Sequence, residues 1–327
     1  MNNETKLHDF EPLSPEIILS AVEAVTGYYL TTSIFTLPSY INRVYELKTE
    51  DGVPVIVKFY RPGRWSMDAI REEHSFVLEC IAADIPVIPP LELKNGSTLA
   101  TVLEFPFAVY PKKAGRELEI NDEETWIRLG SLVGRMHTVG ALQEGCYRTH
   151  IHPEFSLKKD IEFLLDSGLI SPEFQNQFAD IAWNIFTLTS PLFSGTENIR
   201  LHGDCHKGNI LSRMDEGMLL IDFDDMATGP PVQDLWLLLP GHAAECRREI
   251  NLILEGYENF RGFNRDTLIL IEPLRAMRII YFLAWCAKQV KDPRFHDFFP
   301  QWEHRNFWAD EIRDLNHQLT VIREHIV

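Results

Sequence analysis

Apolar and polar positions change period twice along this chain. In SPEIILSAVEAVTG (14–27) they repeat at helical spacing, with Ser14 placed to cap, Pro15 in the first turn and Gly27 at the end. The period then drops to two. TSIFTL and NRVYELKT are β-rich, EDG at 50–52 is a hairpin signal, and VPVIVKFYRP (53–62) makes a third strand. Helical spacing returns in SMDAIREEHSFVLECIAA (66–83), where Ile70, Val77 and Ile81 share a face. VIPPLELK and TLATVLEFPFAVY, separated by the turn NGS, read as two further strands. Beyond the polar connector PKKAGRELEIND (111–122) the pattern is mostly helical, in DEETWIRLGSLVGRMHTVG, SLKKDIEFLLDSG and SPEFQNQFADIAWNIFTLT. A short β-pair, NIRLHG with MLLIDF, interrupts these helices, and helices then run to the C-terminus. The expected fold class is α+β and bilobal. Residues 1–110 are expected to form a small five-stranded antiparallel N-terminal lobe with one helix, and residues 111–327 a larger, mainly helical lobe.

Composition removes several function classes. The five cysteines are scattered, odd in number and lack a C-x-x-C pair, which fits a reducing cytoplasm better than a disulfide framework. The N-terminal stretch MNNETKLHDFEPLSPE has no apolar core of a secretory signal. The longest apolar run, IIYFLAWCA, is far shorter than the ~20 residues of a membrane span. A net charge of −17 repels nucleic acid and anionic membrane surfaces. The expectation is a monomeric cytoplasmic protein that binds neither.

Chemistry concentrates in RLHGDCHKGNILSR (200–213), where His202, Asp204 and His206 stand at i, i+2 and i+4. A zinc site is one reading, since alternate residues of a strand share a face. Gly203 and Gly208 break a strand there, however, and no H-E-x-x-H partner motif occurs elsewhere. Phosphoryl transfer is the other reading. It needs a carboxylate to take the hydroxyl proton, and an amide oxygen and a second carboxylate on the metal. Asp204 is followed five positions on by Asn209, and LLIDFDD brings Asp222 thirteen positions later at the end of an apolar run. The order H-G-D-x-x-x-x-N, then I-D-x-D, parallels the H-R-D-x-x-x-x-N and D-F-G of protein kinases. Asp204 is then the proton acceptor. Asn209 and Asp222 are the metal ligands, with Asp222 also counted as catalytic.

Upstream, PVIVKFY sets Lys58 in an apolar strand, on the face opposite Val57 and Phe59. Such a lysine either holds nucleotide phosphates or protects a sheet edge. Glu73 lies three residues from Ile70 and four from Val77, on the buried helix face, and is the expected partner of Lys58.

HGDCHKGN, IDFDD and QDLW, together with NRVYEL, VIVKFYRP and EEHSF, resemble the aminoglycoside phosphotransferase and choline kinase superfamily, and within it the bacterial stress response kinase A group. The likeness spans nearly the whole chain. It implies a protein-kinase-like fold, ATP and Mg²⁺ as cofactors, and transfer to Ser/Thr hydroxyls of proteins, with autophosphorylation, in a stress response. It also implies that Lys58 holds the α- and β-phosphates, that Asp234 braces the catalytic loop through backbone N–H groups, and that His202 packs beneath the loop as structural support. Cys205 and His206 are not required by the superfamily's chemistry, which leaves local packing or substrate contact.

Two departures shape the expectations. The loop LPSYINRVY lacks G-x-G-x-x-G, so Ser39 and Asn42 are expected to donate side-chain hydrogen bonds to phosphate, with Ser39 also a site of autophosphorylation. Twelve positions separate Asp222 from Asp234, too few for a phosphorylation-gated activation loop. Residues 109–112, with Tyr110 among them, are the expected hinge to the nucleotide base. Asp224 and Asp225 would leave an acidic rim suited to a basic peptide, or serve loop hydrogen bonding. Trp285, Trp302 and Trp308 either line a small-molecule pocket or fill the core. A small-molecule kinase of the aminoglycoside, choline or homoserine type and a non-catalytic scaffold remain the alternatives.

Overall fold

A computed structural model describes residues 10–213 and 217–326; the first nine residues of the N-terminal polar stretch lie outside them. The elements of the N-terminal part are α1 (Pro15–Thr26), β1 (Leu30–Leu37), β2 (Arg43–Thr49), β3 (Pro54–Phe59), α2 (Met67–Ala82), β4 (Ala100–Val102), β5 (Phe105–Pro111) and β6 (Arg116–Glu117). Then come α3 (Glu123–Gly140), β7 (Thr149–His150), α4 (Lys158–Ser167), α5 (Gln175–Thr189), β8 (Ile199–Leu201), β9 (Ile210–Arg213), β10 (Gly217–Leu220) and β11 (Ala227–Gly229). The chain closes with α6 (Val232–Trp236), α7 (Arg247–Tyr257), α8 (Ile271–Gln289), α9 (Phe295–Phe298) and α10 (Arg305–Ile326). The fold class is α+β, in two compact units: Met1–Leu118 with Gly208–Asp224, and Glu119–Lys207 with Asp225–Val327.

In the first unit an antiparallel sheet runs β1-β2-β3-β5-β4. Ser14 caps α1 by accepting the Ile17 N–H, and α1 lays Ile18 and Val22 on the sheet face that carries Val55, Val57, Phe59, Phe105, Phe107 and Val109. Each such aliphatic or aromatic side chain contributes about 1.5–3 kcal/mol by leaving water. The alternation that buries Val57 and Phe59 under α1 turns Lys58 to the other face.

Two expectations about strands need correction. The fourth strand is not VIPPLELK. Pro89 and Pro90 have no N–H to give a ladder, and that segment makes isolated backbone bonds instead of a strand pairing, as when Leu91 N–H donates to the Val109 carbonyl and Lys94 N–H to that of Val25. The fourth and fifth strands are instead a hairpin inside TLATVLEFPFAVY, turning at Leu103 with φ of 52°. Nor do NIRLHG and MLLIDF pair with each other. β10 pairs with β9, and β9 with β6, whereas β8 pairs with β11. This pairing, with Leu220 N–H donating to the Pro86 carbonyl, joins 208–224 and the connector as far as Leu118 to the first unit, so the units do not divide at 110/111.

The second unit is helical around the small sheet β7-β11-β8. Asp122 caps α3 by accepting the Thr125 N–H at 2.7 Å. α3 and α7 pack at glycines: a Cβ on Gly256 would stand 1.8 Å from the Ile127 carbonyl oxygen, and one on Gly130 1.8 Å from that of Ile253. Trp302 and Trp308 are core residues at 2% exposure, while Trp285 is half-buried beside Phe282 and Phe299. Among the described residues no helix is long and apolar enough to cross a membrane.

Candidate active site

In the first unit the site is built around Lys58. Register places it opposite Val44 on β2 and Ala108 on β5, inside the sheet. Its Nζ lies 3.0 Å from Asp222 Oδ1 and 3.1 Å from Asp224 Oδ1. Burial alone would lower the ammonium's pKa, but the carboxylates of Asp222, Asp224 and Glu73 outweigh it and hold the group well above the usual lysine value. Glu73 is buried on α2 among the charges that act on Lys58, after the two aspartates in effect. Arg64, in the loop between β3 and α2, pairs with Asp224. Asp224 is 4% exposed and carries two cations, so it is an internal anion and presents no acidic rim.

Asn209 and Asp222 meet at one end of a hairpin. Leu220 of β10 pairs with Ile210 of β9, and one step further Ile221 N–H donates to the Asn209 carbonyl at 3.0 Å. Asp222 follows with φ of 60°, a left-handed conformation that among non-glycine residues Asn, Asp and His adopt most readily, and its side chain is 55% exposed. The turn is anchored by Phe223, packed edge-to-face on Phe76 of α2. An exposed carboxylate suits a hard cation, which takes oxygen ligands and keeps water, and Asn209, on the facing strand end, carries a second oxygen donor. Among the described residues no group of three or more His, Cys, Asp or Glu is arranged to hold a metal.

The loop between β1 and β2 is braced from below. Arg61 Nε donates to the Ile41 carbonyl, and Arg43 Nη1 to those of Tyr40 and Asn42. Both guanidiniums lie over the Phe10 ring. Asn42 is buried and its Oδ1 accepts the Arg61 N–H, so that oxygen belongs to the brace. Ser39 is half-buried in the turn. Tyr110 commits its hydroxyl to Tyr60, at 2.9 Å, and to His74 rather than presenting it to a base, and burial first of all pushes its pKa up.

In the second unit Asp204 lies in the loop after β8. Asp234 of α6, fully buried, accepts the His202 N–H at 2.8 Å and the Gly203 N–H at 2.9 Å, and bonds His137 Nε2 at 3.0 Å. Gly203 has φ of 83°, and a Cβ there would stand 1.9 Å from the Asp225 carbonyl oxygen, so only glycine fits. His202 is fully buried, and its Nδ1 accepts the Asp204 N–H. The Asp204 carboxylate meets Arg278 Nη2 of α8 at 2.7 Å and His206 Nε2 at 3.5 Å. Burial would raise its pKa, but His206 and Arg278 prevail and hold it at about 2. Cys205 is fully buried, and its thiol is pushed well up by that burial.

Arg278, Arg64, His137, the Arg43–Arg61 brace and the pairing of Asp224 with Lys58 and Arg64 were not foreseen. Arg278 stands 74 positions from Asp204 on a helix without a motif, and Arg64 sits in a loop with no spacing signal. His137 is legible only as a histidine on the buried face of a helix.

Residues 36–271 match the phosphotransferase enzyme family, APH. The chain is 37% identical over 325 residues to stress response kinase A of Escherichia coli K12, covering 99% of this chain and 97% of that one. It is 36% identical over 316 residues to serine/threonine protein kinase RdoA of Salmonella typhimurium, covering 96% and 95%. Among solved structures, amicoumacin kinase hAmiN in complex with AMP-PNP, Ca²⁺ and Ami superposes with a TM-score of 0.71 at 18% identity, over 92% of this chain and 94% of that one. With the lysine–aspartate pair, the Asn209–Asp222 hairpin and the braced Asp204 loop already in place, this chain belongs to the phosphotransferase enzyme family.

Proposed function

We propose that the protein is an ATP-dependent serine/threonine protein kinase that uses Mg²⁺, phosphorylates itself and acts in a bacterial stress response as a cytoplasmic monomer. The observation that carries the reading is the 3.0 Å contact between Lys58 and Asp222, the pairing expected of a lysine that takes phosphates and a carboxylate that takes the metal. The names of the full-length relatives support a protein acceptor. The small-molecule alternative draws on the solved structure named as an amicoumacin kinase. A scaffold would have no use for an exposed Asp222 in a strained conformation.

Lys58 would turn from the aspartates to the α- and β-phosphates when nucleotide binds. Asn209 and Asp222 would hold Mg²⁺, which supplies neutralising charge to the phosphates. The acceptor oxygen attacks the γ-phosphorus, the bond to the β–γ bridging oxygen breaks and ADP leaves. Asp204 receives the hydroxyl proton. A carboxyl held at about 2 is ionised throughout the physiological range but is a weak base. Asp204 therefore orients the hydroxyl first and takes its proton late, once O–P bonding has acidified it. Ser39, in the loop braced by Arg43 and Arg61, is the proposed autophosphorylation site. Mass spectrometry after incubation with Mg-ATP should find phosphate there, and an active enzyme without it would overturn that assignment.

The test of the function is labelled ATP offered with whole-cell extract and, separately, with a panel of aminoglycosides, amino alcohols and sugars. Labelled protein bands that vanish in Asp204→Ala are expected. Transfer confined to a small alcohol would replace the protein-kinase reading.

A further inference from the structure

Both oxygens of Asp204 face nitrogen. Arg278 Nη2 bonds Oδ1 at 2.7 Å, and His206 Nε2 stands 3.5 Å from Oδ2. The Arg278 side chain is 35% exposed and that of His206 43%, so this side of the loop is open to an incoming molecule. Arg278 is also held in place, with its guanidinium 5.4 Å from the Tyr281 ring centroid and the Tyr281 hydroxyl donating to Asp225. A guanidinium carries five N–H donors in a planar fork, and the Asp204 contact uses one edge of it. What remains matches a carboxylate or phosphate.

A cation on the base has a cost. It draws the Asp204 carboxyl down, which weakens it as a proton acceptor. It also repels a cationic acceptor such as an aminoglycoside or a lysine-flanked serine.

We propose that Arg278, with His206 beside it, forms an acceptor subsite that selects a serine or threonine hydroxyl flanked by negative charge. This rests on the phosphotransferase reading of Asp204 and names the acceptor class of that same site. It departs from the expectation of a basic substrate drawn to an acidic rim of Asp224 and Asp225: Asp224 is buried against Lys58 and Arg64, and Asp225 accepts from the Tyr281 hydroxyl. Charged and titratable groups near the subsite include Arg278, His206, Asp225 beyond Tyr281, and the exposed Lys207 that follows His206 in the chain. Arg278 is the specificity residue: it reads the groups beside the hydroxyl, and Asp204 holds the hydroxyl itself.

The experiment compares two peptides of one sequence, the central serine flanked either by Asp and Glu or by Lys and Arg. The readout is the ratio of their kcat/KM values in wild type, Arg278→Lys and Arg278→Glu, which is independent of each variant's overall activity. Wild type should favour the acidic peptide about tenfold or more, mainly through KM. Arg278→Lys should keep the direction of that preference, and Arg278→Glu should invert it. With wild type alone, rising salt should raise KM for the acidic peptide and erase the ratio, which covers the case in which Arg278→Glu does not fold. A wild-type ratio near one or favouring the basic peptide overturns the proposal, as does a ratio unchanged in Arg278→Glu. Wild type that labels itself but neither peptide overturns the acceptor class alone. Wild type that labels nothing, itself included, overturns the phosphotransferase reading beneath it.

Discussion

Replacing Asp234 by alanine should loosen the loop that carries Asp204 and weaken the second unit. The carboxylate is fully buried and serves three donors: the His202 and Gly203 N–H groups at 2.8 and 2.9 Å and His137 Nε2 at 3.0 Å. Alanine removes all three acceptor positions and adds none. A buried donor left without a partner costs about 1–3 kcal/mol. The His137 ring can carry its proton on Nδ1 instead and donate to the Tyr257 hydroxyl, 3.1 Å away, which limits its share. The two backbone groups, fixed by Gly203's φ of 83°, have no such freedom. The expected loss is about 3–5 kcal/mol, in line with the removal of one partner from a buried charged pair. Asn keeps one oxygen and places a second donor against the others, so Asp234→Asn should recover less than half of the loss. Urea denaturation followed by tryptophan fluorescence measures the stability, and peptide phosphorylation measures the loop. An alanine variant within about 1 kcal/mol of wild type and fully active would refute the brace.

Other outcomes follow from packing and titration. Gly256→Ala should cost about 3 kcal/mol or more, because its Cβ would stand 1.8 Å from a backbone oxygen of α3, whereas Gly262→Ala, with nothing within 4 Å, should change stability by less than about 0.5 kcal/mol; thermal melts compare the two. Iodoacetamide on the folded protein should label exposed Cys146 and spare Cys205, whose burial and raised pKa both oppose thiolate formation, as peptide mapping would show. Burial first, then Asp314 and Asp310, raise the Glu311 carboxyl from 4.5 to about 7. The folded state therefore holds a proton that the unfolded chain releases, and stability falls as pH rises from 4.5 to about 7. Glu311→Gln should then stabilise the protein at pH above 7 and have little effect near pH 4.5, read from denaturation midpoints at both ends.

Much of the first unit was legible because its signals are local. Ser14, Pro15 and Gly27 bound α1, and alternation through β3 turned Lys58 away from Val57 and Phe59. Strand partnership was less legible. MLLI and IRL are both short apolar runs, and nothing in either states that one joins β9 and the other β11. Two prolines in VIPPLELK argued against a strand more strongly than its apolar content argued for one. At the site, Asp204, Asn209 and Asp222 stood out through order and spacing. Asn42 looked like a phosphate donor because asparagine is polar and sits in the right loop; its burial against Arg61 is a tertiary fact. Arg278 reaches Asp204 from α8, and no spacing rule spans that distance in sequence.

The most direct test is Asp204→Ala in a Mg-ATP phosphoryl-transfer assay, with nucleotide binding measured in parallel. The account predicts a fall in transfer of about 10²–10⁴-fold with Mg-ATP affinity and thermal stability nearly unchanged. Full activity in that variant would contradict it.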